Sequence, residues 1–167
     1  MSEVTQQILL AIGWSVLATV LAQAISLLFM RVLGLPLKKL VHEIENIQNP
    51  AVGAIFFVVS LTVALFVGIF ASDGFTPVGA RLASDQALTL TQERLATAGW
   101  IALALFLSLL LTWISFIVAY RIMGVEDDES FLEYARRELV EEQNASLAFF
   151  LGSLMIVPFI AVIFQII

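Results

Sequence analysis

Residues 43–57 read EIENIQNPAVGAIFF, and residues 138–152 read ELVEEQNASLAFFLG. In both, a Gln-Asn pair stands at the start of a long uncharged run: Gln48-Asn49 before Pro50, and Gln143-Asn144 before Ala145. Asparagine just ahead of an apolar helix is a strong N-cap, because its side-chain oxygen accepts from the first unpaired backbone N–H groups. Pro50 suits the first helical position, where no N–H is needed. At a membrane edge the need is sharper, since an unsatisfied N–H in hydrocarbon is costly. Capping explains each asparagine alone. It does not explain why the residues upstream match as well: Leu37 with Leu132, Glu43 with Glu138, Ile44 with Leu139. Duplication explains the whole pattern. Gln48, Asn49, Pro50, Gln143 and Asn144 are therefore read as a repeated helix cap and hinge, where a surface helix turns into the membrane.

The remainder of the chain agrees with a membrane setting. Of its 167 residues 60% are hydrophobic and 13% charged, with a mean hydropathy of +1.00. An ordinary soluble domain has about 25% charged residues. Four stretches reach the roughly 20 apolar residues a helix needs to cross a hydrocarbon core: about 8–33, 51–72, 95–120 and 145–167. The runs are continuous rather than alternating, which favours helices over barrel strands. Ala22-Gln23-Ala24 resembles a signal-peptidase site. However, no Lys or Arg precedes it and the apolar run continues, so the first span is read as retained. Pro158 removes a helix hydrogen bond within the fourth span and is expected to kink it.

Lys and Arg set the orientation. Arg31, Lys38 and Lys39 follow the first span, and Arg121, Arg136 and Arg137 follow the third; only Arg81 and Arg94 lie in the remaining linker. The bias puts the first and third linkers in the cytoplasm and both termini outside. Each of these linkers has helical periodicity. Leu37, Leu40, Val41, Ile44 and Ile47 form one stripe, opposite Lys38, Lys39, His42, Glu43 and Glu45. Phe131, Leu132, Ala135 and Leu139 form another. Ser130 and Glu133 match a capping box, and Glu133 with Arg137 has favourable i,i+4 spacing. Both are expected to be short amphipathic elbows, spanning 36–48 and 127–143, that lie on the membrane surface or pack against protein.

The expected fold is all-α: four transmembrane helices arranged as two parallel span–elbow–span repeats, 1–72 and 95–167, joined by an external linker, 73–94. Gly13-Trp14 and Gly99-Trp100 mark corresponding points in the two first spans. Two halves of the same orientation imply a pseudo-twofold axis along the membrane normal. SDQALTLTQER (84–94) is expected to extend the third helix upstream. Paired two-span repeats with Asn opening the second span, as in NPAVGAIFF (49–57) and NASLAFFLG (144–152), resemble the bacterial membrane family called domain of unknown function 350. The likeness covers nearly the whole chain. It implies this topology and a bacterial cytoplasmic membrane. Pro50 and the small number of glycines in the spans depart from the family's pattern.

Little in the chain carries chemistry. There are no cysteines and one histidine, which excludes disulfides and thiolate metal sites. The net charge of −6 argues against nucleic acid, which requires clustered cations. No ionisable residue lies at membrane depth, unlike in proton-coupled carriers. His42, Glu43 and Glu45 read as a solvated face rather than a metal site. No P-loop, nucleophile elbow or zinc-protease motif is present. The chain is read as a non-enzyme without a cofactor. Ser60, Ala64, Gly68 and Ser72 in the second span, with Ala148 and Gly152 in the fourth, form small-residue ladders for helix packing within the bundle or between subunits. Gln23, the one amide deep in the first span, is the candidate for a solute path. Lys38, Lys39, Glu126, Asp127, Asp128, Glu129, Arg136 and Arg137 make up the candidate partner surface. The expected partners are the lipid bilayer and a second copy, or another membrane-associated protein.

Overall fold

The structure, a computed structural model, describes residues 3–71, 90–123 and 129–166. All regular elements among them are helical. They are α1 (Glu3–Val32), α2 (Leu37–Val41) running into a π-helical turn, π1 (His42–Asn46), then α3 (Pro50–Ala71), α4 (Leu90–Ile122), α5 (Phe131–Arg136) with its own π-helical turn, π2 (Arg137–Glu141), and α6 (Ala145–Ile166). Four helices, α1, α3, α4 and α6, are long and apolar enough to cross a membrane. α4 starts upstream of the apolar run, at Leu90. Ser72, Glu126, Asp127, Asp128 and most of the linker 73–94 lie outside the described residues.

α3 and α6 are the central pair; α1 packs on α3, and α4 packs on α6. The core is apolar: Ile55, Val59, Val63 and Phe66 of α3 are buried in one cluster with Ala148, Leu151, Met155 and Phe159 of α6. The Phe66 and Phe159 rings make an edge contact, centroids 5.1 Å apart. Gly152 marks a close approach: a Cβ there would lie 2.7 Å from Val58 Cγ1. Small residues permit such closeness where packing rather than water drives helix association. Ala148 is fully buried, and Gly152 sits in the α3–α6 contact. Ala64 and Gly68 do not; both are exposed on α3, and nothing lies within 4 Å of a Cβ at Gly68. Four buried hydroxyls are tied to their own helices: Ser26 to the Ala22 carbonyl, Thr62 to Val58, Ser108 to Ala104 and Thr112 to Ser108. Ser115 bonds Leu111 in the same way. Such back-bonding satisfies a hydroxyl where water is absent. The buried Ser60 Oγ has no hydrogen-bond partner among the described residues. Pro158 is buried inside α6, which runs unbroken through it.

A twofold would bury matched positions alike. Burial in the central pair matches the pseudo-twofold expectation at some positions only: Val52 and Leu147, Val63 and Pro158, and Val67 and Val162 are buried in both halves. Elsewhere Ile55, Val58, Thr62 and Phe66 are buried on α3, while their counterparts on α6, Phe150, Ser153, Val157 and Ala161, are exposed. Conversely, Ala148, Gly152, Met155 and Phe159 are buried on α6, whereas Gly53, Phe57, Ser60 and Ala64 on α3 are half-buried or exposed. The two helices are therefore not buried identically along their length.

Candidate functional site at the two elbows

The chain leaves α1 through a glycine. Gly34 has φ +82°, a backbone region open to glycine at little cost. The Leu35 N–H donates to the Met30 carbonyl at 2.9 Å and the Gly34 N–H to Arg31 at 3.0 Å. This pair of bonds closes a Schellman motif and satisfies carbonyls at the helix end. Pro36 follows, and α2 begins.

Each elbow then widens from α to π geometry. The Ile47 N–H reaches back to His42, and the Glu142 N–H to Arg137. Gln48 and Gln143 have φ of 57° and 51°, the only non-glycine residues among those described with positive φ. Left-handed backbone costs a non-glycine residue about 1 kcal/mol or more. It reverses the chain, so that the Asn49 N–H bonds the Glu43 carbonyl at 2.9 Å and the Asn144 N–H bonds Glu138 at 2.8 Å. Both bonds are one residue longer than in a Schellman motif, as the π turn requires. The elbows are thus part α, part π, rather than the α-helices expected. Both Gln side chains are exposed; these residues act through their backbone.

Asn49 is 2% exposed and ties three elements together. Its Oδ1 accepts from the Ala51 and Val52 N–H groups, at 3.0 and 3.2 Å, which caps α3. Its Nδ2 donates to Glu43 Oε2 at 3.1 Å and, across to the other elbow, to the Leu139 and Val140 carbonyls at 2.9 and 3.3 Å. Those carbonyls belong to the last turn of π2, which leaves them without intrahelical donors. Asn144 repeats the local part: Oδ1 accepts from the Leu147 N–H at 3.0 Å, and Nδ2 donates to Glu138 Oε2 at 2.9 Å. It makes no bond to the other elbow among the described residues. Both elbows therefore sit at one end of the bundle, joined from one side only.

The charge arrangement differs from expectation in two places. Glu43 is 4% exposed and bonded to Asn49, not part of a solvated face; it lies three residues after the buried Leu40, on the same helix face. Arg137 pairs with Glu129 and Glu138, each at 3.1 Å, not with Glu133. Glu133 instead completes the capping box: the Ser130 hydroxyl donates to Glu133 Oε2 at 2.6 Å, and the Glu133 N–H returns to Ser130 Oγ. These hydrogen bonds hold the Glu133 carboxyl below its usual pKa. Two contacts with Glu129 hold the Arg137 guanidinium above its usual value. Partial burial and the nearby Glu138 push the Tyr134 hydroxyl up. The Arg137 guanidinium also lies over the Tyr134 ring, 5.5 Å from its centre, and the Tyr120 hydroxyl donates to the Glu129 carbonyl.

The two elbows present different surfaces. Phe131, Ala135 and Leu139 are buried, Phe131 among Trp113, Phe116 and Tyr120. In the first elbow only Leu40 of the apolar stripe is buried; Leu37, Val41, Ile44 and Ile47 are exposed. Lys38 is exposed and Lys39 half-buried. Arg136 is exposed at its head, while its stem packs over Gly34, Cδ 3.2 Å from a Cβ placed there. Gln23 is exposed on α1, remote from the elbows. Among the described residues no three His, Asp or Glu side chains stand close enough to hold a metal ion. The structure thus brings Asn49 together with Glu43 and the Leu139 and Val140 carbonyls, and keeps Asn144 with Glu138; Gln48, Pro50 and Gln143 are exposed. The shared Glu43/Glu138 in the sequence pattern was the available signal for Glu43. Comparison with protein-family models, with curated proteins and with solved structures finds no match.

Proposed function

We propose that this chain is a non-enzymatic component of a bacterial cytoplasmic membrane that works by assembly, with itself or with another membrane-associated protein. Its joined elbows face the cytoplasm, and both termini lie outside. It is built as two copies of a span–elbow–span unit, as the likeness to domain of unknown function 350 implies. The observation that carries this reading is the use made of the polar groups. The hydroxyls of Ser26, Thr62, Ser108 and Thr112 are bound to their own helices, and the elbow side chains hold each other at one end of the bundle. The span windows carry charge only at Arg31 and Arg121, near the ends of α1 and α4. Support for the duplication comes from matching particulars: π turn, left-handed Gln, Asn cap and Asn–Glu bond occur in both halves.

Light scattering of the purified protein in detergent tests the assembly. A mass of two or more chains, or of chain plus captured partner, is expected; a lone monomer that captures nothing counts against it. A passive channel or small-solute carrier is the second reading. Gln23 favours it, as an amide at mid-span, but its outward position limits any path past it to the space between copies. Solute flux into liposomes that disappears in Gln23→Leu would establish that reading over the first.

A further inference from the structure

We infer that the first elbow lies in the surface layer of the bilayer and holds an anionic phospholipid headgroup where α1 ends, whether or not the chain assembles. The chain sets the depth of this elbow. The apolar window of α1 ends at Val32 and that of α3 starts at Pro50, and such ends mark the edge of the hydrocarbon. Between them the elbow stays on the bundle: Leu33, Leu35, Leu40 and Glu43 are buried, and Asn49 ties its end to π2. Helical spacing gives α2 and π1 three sides. Leu40 and Glu43 face the bundle. Leu37, Val41 and Ile44, at i, i+4 and i+7, form an exposed apolar strip beside them. Lys38, His42, Glu45 and Asn46 form an exposed polar side. A helix at this depth, with protein on one side, meets lipid and water on the others, and its polar side takes the water. The apolar strip therefore sinks into the boundary between headgroups and acyl chains, by about 5–10 Å. The second elbow has no such strip: Phe131, Ala135 and Leu139 are buried and Leu132 is half-buried.

Charge complementarity selects the lipid. Arg31, Lys38 and Lys39 flank the left-handed turn at Gly34. Arg136 of the second elbow reaches the same turn, its Nε 3.9 Å from a Cβ placed at Gly34. Both ion pairs among the described residues belong to Arg137, so none of these four cations has a carboxylate partner among them. Glu45, the carboxylate on the exposed polar side, lies seven residues beyond Lys38, about 10 Å along a helix. Basic groups at headgroup level favour anionic lipid by about fivefold each, and a guanidinium binds phosphate oxygens in pairs. These cations come from α1, α2 and α5, and an anionic headgroup at the turn neutralises what the described residues leave unpaired.

The chain has no cysteine, so single nitroxide labels read depth directly. Labels at Val41→Cys and Ile44→Cys, in the full chain in lipid nanodiscs, are expected to be more accessible to oxygen than to a water-soluble nickel chelate. A label at Asn46→Cys should show the reverse. Val41 and Ile44 labels open to the chelate, or closed to both reagents because protein covers them, would overturn the proposal. Native mass spectrometry from nanodiscs of mixed phosphatidylglycerol and phosphatidylcholine tests the headgroup. The protein should retain phosphatidylglycerol in preference. Lys38→Gln and Arg136→Gln should each lower that preference about fivefold, and Arg136→Lys should restore it. No preference in the unsubstituted chain, or one that both Gln substitutions leave unchanged, would overturn the headgroup site. Neither readout depends on the number of copies, so a monomeric chain that passes both tests removes assembly and leaves the lipid contact standing.

Discussion

Asn49 does more than its counterpart. It caps α3, holds the buried Glu43 and satisfies carbonyls on the second elbow, whereas Asn144 makes only the local bonds. Removing an N-cap costs about 1 kcal/mol, and stranding a buried acceptor costs a further ~1–3 kcal/mol. Asn49→Ala should therefore lower unfolding free energy by about 2–4 kcal/mol and Asn144→Ala by about 1–2, as measured by denaturant unfolding in detergent. Equal losses would show that the bridge to π2 contributes nothing. Gln48 carries a positive φ with an exposed side chain. Gln48→Gly should leave the elbow intact and raise stability by up to about 1 kcal/mol, read as a higher melting temperature; a loss would assign the side chain a role of its own. At this scale the sequence was half legible. An Asn before an apolar run announces a cap, because capping is a local event. The bridge from Asn49 to Leu139 and Val140 was not legible, since it joins residues far apart in the chain.

The elbows show where periodicity misleads. Pattern reading sorted the elbow by polarity and so turned Glu43 toward solvent. Glu43 lies on the same face as the buried Leu40, three residues on, and ends 4% exposed with its carboxylate held by Asn49. The capping box of the second elbow was legible, because Ser130 and Glu133 need only each other. Glu133 has its pKa lowered by the bonds from Ser130. Its contribution to the elbow is present above the ordinary carboxylate value of 4.5 and is lost as pH falls through the lower folded value. A carboxyl NMR titration should place the Glu133 midpoint below 4.5, and Ser130→Ala should move it back up. An unmoved midpoint would remove the capping box as the cause. For the spans, lengths and order were plain from hydropathy, but the packed faces were not. Ala148 and Gly152 pack while Ala64 and Gly68 stay open, although all four look alike in sequence. Gly152→Leu meets Val58 and should cost about 1–3 kcal/mol. Gly68→Leu should be neutral for folding of the monomer, by the same unfolding measurement.

For the whole molecule, the four apolar helices follow from composition, because a hydrocarbon solvent leaves a helical chain few alternatives. How the halves sit together does not follow. Matched residues such as Val58 and Ser153 occupy buried and exposed positions, and nothing local distinguishes them. The central claim is that the chain works by assembly in the membrane. Native mass spectrometry of the protein released from lipid nanodiscs tests it most directly: a multimer, or the chain with a captured partner, is the expected result, and a lone monomer would contradict it.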